Sequence, residues 1–433
     1  MFVHGLRPFA RARARAQAPA MAERVEELEI GAVGAQGDGL APGPLFVPLT
    51  LPGERVRARV DGDRGEVLEL LRPSPDRVAP VSPHYGECGG CSLQHWASAP
   101  YLEWKREQVR LALARERIET EIAPTVACPP ASRRRLALHA RPARGGAILG
   151  FKARRSWRLV EVAECPIADP ALVRAFPALR TLAAAFFEHP KSAPTLHVTA
   201  TLSGLDVEVT GVERRSGGLS ADSRMRAAEA ASAADLARVT MGGEILYQAR
   251  QPVVRLGPAT VALPPGAFLQ AVPQAEQAMA DLALEAVADA RRLADLFCGV
   301  GTFTFRLAEV APVLAADGAE PALRALKAAV GTAPGLKAIT AEARDLFRRP
   351  VSAEEMKKID AIVFDPPRAG AAAQAPEIAR SGAATVVGIS CNPATFARDA
   401  RTLVDAGFRL ERVTPVDQFL WSAHVEAVGV FRR

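Results

Sequence analysis

A chain of 433 residues, about half of them apolar, is long enough for two or three domains, each with its own core. It holds no apolar run long enough to cross a bilayer, which argues against a helical membrane protein or a membrane partner. The formal charge is +6, yet Arg7, Arg11, Arg13 and Arg15 supply four of these charges within an acid-free first 20 residues. The remainder carries only +2, so overall charge says little about nucleic acid.

The Arg-Ala opening lacks the apolar centre of a secretory signal. Residues 1–23 are expected to be a disordered basic arm or a mis-assigned start, with translation beginning at Met21. The six cysteines show no paired spacing of a secreted scaffold, which implies a reducing, cytoplasmic setting. Between residues 24 and 80, short alternating runs are broken by glycine and proline, as in Leu45-Phe46-Val47-Pro48, Leu51-Pro52-Gly53-Glu54 and Val56-Arg57-Ala58-Arg59-Val60. This pattern predicts a small antiparallel β-barrel, a class that often binds RNA but can be purely structural. The stretch resembles a TRAM domain.

A central domain is expected over residues 81–272. Cys88-Gly89-Gly90-Cys91 and the distant Cys165 can bring three thiolates to one metal, and the spacing alone allows zinc or an iron–sulfur centre. A fourth ligand would have to be Cys128, which reads more naturally as core filler, or a non-thiol group. Residues 131–160 carry Arg133, Arg134, Arg135, Arg141, Arg144, Lys152, Arg154, Arg155 and Arg158 with no acid, interleaved with Phe151 and Trp157. Phosphate neutralisation combined with ring stacking points to RNA contact, against the plainer reading of a solvated charged face. Residues 176–264 read as strands and two helices, with a polar, alanine-rich connector over 221–236 that carries no motif.

From residue 273 to 433 helix and strand alternate, predicting a parallel sheet covered on both faces. Leu293 to Phe303 reads as a strand, a turn with Gly299 and Gly301, and then a helix; a lone Gly-x-Gly is a weak signal. The next strand ends at Asp317, where a carboxylate can accept both hydroxyls of a ribose. A third strand, expected to end near Ile339, leads to Asp345, a candidate for an adenine amino group, and a fourth ends in Asp365-Pro366-Pro367-Arg368. In this order the set fits S-adenosylmethionine better than a nicotinamide dinucleotide.

One strand later, Val386 to Ser390 delivers Cys391-Asn392-Pro393 at a strand mouth. A lone thiol there is more often a small buried hydrophobe than a nucleophile. Uracil C5 chemistry gives it a use: a thiolate adding to C6 turns the weakly nucleophilic C5 into an enolate carbon that can attack a methyl sulfonium. A base must then take the C5 proton. His424 and Glu426 are expected on one face of the last strand, with Glu426 raised in pKa by apolar surroundings and the better base.

Asp-Leu-Phe-Cys-Gly-Val-Gly-Thr-Phe, Asp-Pro-Pro-Arg, Ser-Cys-Asn-Pro and His-Val-Glu together resemble the RNA uracil-C5 methyltransferase family. The barrel and Cys-Gly-Gly-Cys make the chain similar to the 23S ribosomal RNA branch, over residues from about 25 to the end. The resemblance implies a Rossmann-like α/β catalytic domain beside a central α+β domain and the barrel. It implies Cys391 as nucleophile and Glu426 as proton acceptor. It implies S-adenosylmethionine contacts from Gln270, Phe297, Gly299, Gly301, Thr302, Asp317, Asp345 and Asp365. It also implies a [4Fe–4S] cluster on Cys88, Cys91 and Cys165, with Ser82 standing where relatives carry the fourth cysteine. The expected partner is RNA, most naturally 23S ribosomal RNA, with no stable protein partner. The same chemistry on transfer RNA and a non-catalytic RNA-binding protein are the rivals.

Overall fold

The computed structural model describes residues 24–213 and 218–433, so the expectations for the first 23 residues lie outside the described residues. Contacts divide the described residues into two units, the first ending at Pro75 and the second running from Asp76 to Arg433.

In the first unit a six-stranded sheet runs in the order Arg24–Glu29, Arg55–Asp61, Arg64–Arg72, Leu45–Pro48, Asp38–Ala41, Ala32–Val33. Strand Arg55–Asp61 shows why: Val56, Ala58 and Val60 turn inward, while the arginines between them turn outward. Those arginines meet Glu27, Glu69 and Glu66 on the neighbouring strands, so this face is a lattice of ion pairs rather than a bare cationic surface.

The second unit holds two large sheets. A seven-stranded one runs from Leu159–Glu161 through Arg135–Ala143 and Thr195–Thr201 to Glu244–Gln248. Helices Phe176–Ala184 and Ala221–Ala233 cover it, burying Phe176, Leu179, Leu182, Ala227 and Ala231 against Leu138, Leu149 and Val207. The alanine-rich connector is thus a helix whose small residues form its packing face.

The eight-stranded sheet has the order Ile339–Ala343, Val313–Asp317, Leu293–Leu296, Ala361–Phe364, Thr385–Ser390, Glu426–Arg432, Arg409–Val416, Glu121–Ile122. Leu293–Leu296, Ala361–Phe364 and Thr385–Ser390 are buried at every position, because helices lie on both faces. One face packs Ile378, Phe396, Leu403 and Leu113; the other packs Met279, Ala283, Phe303 and Leu307. Each such side chain contributes about 1.5–3 kcal/mol of burial. This is the expected Rossmann-like α/β arrangement, with two corrections. The third strand begins at Ile339 rather than ending near it. A two-residue strand, Glu121–Ile122, joins the far edge from well upstream, parallel to Arg409–Val416.

Among the described residues no helix is long and apolar enough to cross a membrane.

Candidate active site

The thiol and the carboxylate are brought together by strand register. Thr385–Ser390 runs antiparallel to Glu426–Arg432, and Ser390 lies opposite Ala427. Cys391 and Glu426 therefore leave the ladder at adjoining positions. The turn after Cys391 is set by its neighbours: the Asn392 side chain accepts from Ala394 N at 3.1 Å and caps helix Pro393–Asp405, with Pro393 in the first position. Asn392 Nδ2 also donates to Arg368 O at 3.1 Å, tying the thiol turn to the Asp-Pro-Pro-Arg loop.

Burial pushes the half-buried Cys391 thiol up to about 11, the charges of Glu426 and Asp365 add to this, and Arg368 opposes it. Burial is also the main cause that raises Glu426, helped by Asp365 and opposed by a hydrogen bond from Gln418 and by Lys105. The raised pKa of Glu426 is as expected; the placement of His424 is not. The strand begins at Glu426, so His424 lies exposed in the preceding turn and shares no strand face with it.

A chain of side chains links the two site carboxylates. Gln270 Nε2 donates to Asp365 Oδ2 at 2.8 Å. Gln418 Nε2 donates to Gln270 Oε1 and to Glu426 Oε1, each at 2.9 Å. Gln270 and Gln418 are each 2 % exposed. Gln418 carries no motif, and nothing in the sequence marks it except its place eight residues before Glu426.

The Gly-x-Gly turn forms a cradle. Gly299 and Gly301 take φ of 55° and 97°, and Phe297 takes a left-handed 65° directly after its strand. A Cβ on Gly301 would stand 2.5 Å from the Phe305 ring, whereas one on Gly299 would meet open space. Asp317 braces the turn, accepting from Gly299 N at 2.9 Å and from Ala319 N at 2.7 Å. Thr302 is buried beside it. Asp345 is exposed and accepts from Phe347 N at 3.0 Å, while the Phe347 ring stands 5.6 Å from that of Phe297. Asp295, overlooked in the sequence as an ordinary strand residue, is fully buried and pushed up to about 7, chiefly by burial. Thr304 Oγ1 donates to its Oδ2 at 2.5 Å, while its buried Oδ1 has no partner among the described residues. Open space at Gly299, the partnerless Asp295 Oδ1 and the carboxylates Asp317, Asp345 and Asp365 at the ends of strands Val313–Asp317, Ile339–Ala343 and Ala361–Phe364 fit a nucleoside-bearing cationic ligand.

The basic stretch is partly structural. Arg134 donates to Gln270 O at 2.9 Å and pairs with Glu276 at 2.5 Å, and Arg135 donates to Leu269 O at 2.7 Å. These cations, expected to face RNA, instead clamp the segment that carries Gln270. Farther along, Lys152 Nζ sits 4.0 Å over the ring of Trp157, which is 77 % exposed.

Cys88, Cys91 and Cys165 line one small cavity with Ser82 and His84. Burial raises all three thiols, and the charges of Cys165 and Cys88 further raise Cys91. Among the described residues, however, no group of three or more His, Cys, Asp or Glu side chains stands as a metal site. Ser82 is engaged by the backbone of His84 at 3.2 Å. Cys128 is core filler among Val272, Ala275 and Met279, which closes it off as a fourth ligand.

Comparison with known proteins agrees with this geometry. Residues 261–433 match the model of the tRNA (uracil-5-)-methyltransferase family. An uncharacterized RNA methyltransferase of Caulobacter vibrioides is 67% identical over 94% of this chain and 100% of its own length. The 23S rRNA (uracil(1939)-C(5))-methyltransferase RlmD of Alkalilimnicola ehrlichii is 33% identical over 94% of this chain and 96% of its own. In fold, the tRNA (uracil-54, C5)-methyltransferase of Pyrococcus abyssi, solved with S-adenosyl-L-homocysteine, superposes with a TM-score of 0.71 at 23% identity, covering 94% of this chain and 99% of that one. The chain belongs to the RNA uracil-C5 methyltransferase family.

Proposed function

We propose that this enzyme methylates C5 of a uridine in 23S ribosomal RNA, with Cys391 as nucleophile and Glu426 as the base that removes the C5 proton. The observation that carries the reading is the register that sets Cys391 beside Glu426, at the mouth of the sheet that bears the glycine cradle. Gly299, Gly301, Asp317 and Asp365 with Gln270 would hold S-adenosylmethionine, which would supply the methyl group. The chain's own residues do the rest. Cys391 forms a bond to C6 of a base turned out of its stack, and the C5–C6 electron pair moves to C5. After C5 is methylated, Glu426 takes the C5 proton, the C6–S bond breaks and the double bond returns. Because the resting thiol holds its proton to about 11, that proton must leave as C6 is attacked; Asp365, whose charge acts on the thiol, takes it in this reading, which leaves Glu426 ionised for the C5 proton.

The proposed division of labour is a TRAM-like barrel over 24–80, a central RNA-binding domain over 81–272 and a catalytic domain over 273–433. An iron–sulfur site on Cys88, Cys91 and Cys165 is part of the reading, supported by their shared cavity, and takes no part in the steps above. The choice of ribosomal over transfer RNA is supported by full-length similarity to a 23S enzyme.

The test is methylation of unmodified 23S and transfer RNA transcripts with labelled S-adenosylmethionine, read by nucleoside mass spectrometry. 5-Methyluridine in 23S RNA alone is expected. The same product in transfer RNA alone overturns the substrate and leaves the chemistry. Full activity in Cys391→Ala overturns the covalent route.

A further inference from the structure

We infer that Gln418 is a positioning residue for the proton-transfer step, orienting Glu426 and holding it ready to accept. The inference rests on the reading of Glu426 as the C5 base, and goes beyond it to a residue whose sequence context gives it no role.

The geometry is one-directional. An amide nitrogen is a donor only, and Gln418 spends its two N–H groups on Glu426 Oε1 and Gln270 Oε1. Its own Oε1 accepts from Val272 N at 3.3 Å, which fixes which end of the amide faces the carboxylate. Gln270 repeats the pattern one step on, donating to Asp365 Oδ2 at 2.8 Å. Both site carboxylates therefore receive a donor from a buried amide, and neither amide can take a proton away. A donor to the charged form favours that form. Here it works against burial, which favours the protonated acid. Engaging Oε1 alone also leaves Oε2 as the oxygen to accept the proton.

Among the described residues, the charged and titratable groups that act on Glu426 are these. Asp365 at the end of strand Ala361–Phe364 and Cys391 after strand Thr385–Ser390 disfavour its ionised form or compete with it. Lys105, from helix Ser98–Arg115, favours ionisation but is committed to Asp417 at 2.5 Å. Gln418 is the neutral donor in contact with the base.

The experiment is the pH dependence of product release in single turnover on RNA, in wild type and Gln418→Met, a substitution of similar length and volume without donors. Release needs ionised Glu426, so its rate rises with pH through that group's pKa. In Gln418→Met the rising limb is expected to move up by about one pH unit, with roughly tenfold slower release below the limb and equal release above it. A denaturant-stable protein–RNA adduct should accumulate at low pH and clear when the pH is raised. Gln418→Glu keeps an oxygen for Val272 N–H but sets a carboxylate against Glu426; it should shift the limb further, and it carries the test if Gln418→Met does not fold. An equal loss at every pH, or no change, overturns the inference. Glu426→Ala separates the two readings: a trapped adduct there with an unshifted Gln418→Met profile defeats the positioning role alone. No trapped adduct in Glu426→Ala takes down the base and the positioning role together.

Discussion

Lys105 Nζ stands 2.5 Å from Asp417 Oδ1, and both side chains are fully buried. Lys105 also donates to Phe419 O at 3.2 Å and to His424 O, while Tyr101 OH donates to Asp417 Oδ1 at 3.0 Å and accepts from Trp421 N at 2.8 Å. One helix of the central segment thus grips the whole turn that leads into Glu426. Burial drives Lys105 down and Asp417 up, so desolvation outweighs their attraction. The pair is better understood as a fixture for the turn than as a source of stability.

Removing one partner should therefore be costly and removing both less so. Lys105→Met leaves Asp417 buried without its cation and is expected to lose about 3–5 kcal/mol, read as a lower midpoint in chemical denaturation. Lys105→Met with Asp417→Leu should recover part of that loss. A double variant no more stable than Lys105→Met would show that the pair is not coupled.

The two glycines of the cradle should fail in different ways. Gly301→Ala places a Cβ 2.5 Å from the packed Phe305 ring at a φ of 97°, so the fold itself is expected to lose stability. Gly299→Ala meets no atom within 4 Å and carries a milder φ of 55°, costing about 1–2 kcal/mol. Its methyl group fills the space where the cofactor is read to lie. Calorimetric titration with S-adenosylhomocysteine should show a folded Gly299→Ala that binds at least tenfold more weakly. Unaltered binding would move the cofactor away from this turn.

The Cys391 thiol gives a pH prediction with a definite sign. Its pKa is raised from 9.0 to about 11, so the thiol form predominates at neutral pH and the reactive thiolate grows as pH rises. Alkylation of Cys391 by iodoacetamide in RNA-free enzyme, followed by peptide mass spectrometry, should increase about tenfold per unit from pH 7 to pH 10. Glu426 is one of the charges that hold the proton on, so Glu426→Gln should react faster at pH 8. A flat profile, or a slower Glu426→Gln, would contradict this account of the thiol.

Much of this was legible in the sequence because the central strands are buried on both faces. Val386 to Ile389 and Ile362 to Phe364 read as unbroken apolar runs, and the polar residue ending each run falls at the sheet's functional edge. What the sequence hides is pairing across distance. Lys105 and Asp417 are 312 residues apart, and neither helix periodicity nor strand alternation marks a buried ion pair. Gln418 is similar: a buried amide is recognisable only through its partners Gln270 and Glu426. Within the basic run, Arg134 misled for the same reason. Its charge is plain, but the cost of burying Arg134 is met by Glu276, 142 residues away. His424 misled locally, since alternation assumes a strand and the ladder starts only at Glu426.

The cysteine cavity yields the last prediction. Cys88, Cys91 and Cys165 line one cavity with Ser82 without standing as a metal-binding group, so a cluster here would be held by three thiolates at most and lost readily. Protein purified without oxygen should be brown and carry iron, which a chelator removes; Ser82→Cys, which completes the thiolate set, should keep its iron through the same treatment. Loss of such a cluster would disturb a contact made by the loop that carries Cys88 and Cys91. Leu93 N, two residues after Cys91, donates to Trp421 O at 3.0 Å, and Trp421 lies in the turn held by Tyr101 and Lys105. Loosening the Cys88–Cys91 loop therefore frees one of the tethers on the turn before Glu426. Chelated protein should be cut faster by protease within residues 417–425, and Ser82→Cys should resist that cleavage. Iron-free protein from both forms would remove the cluster from this chain altogether and leave the cavity as a packing feature beneath the tether.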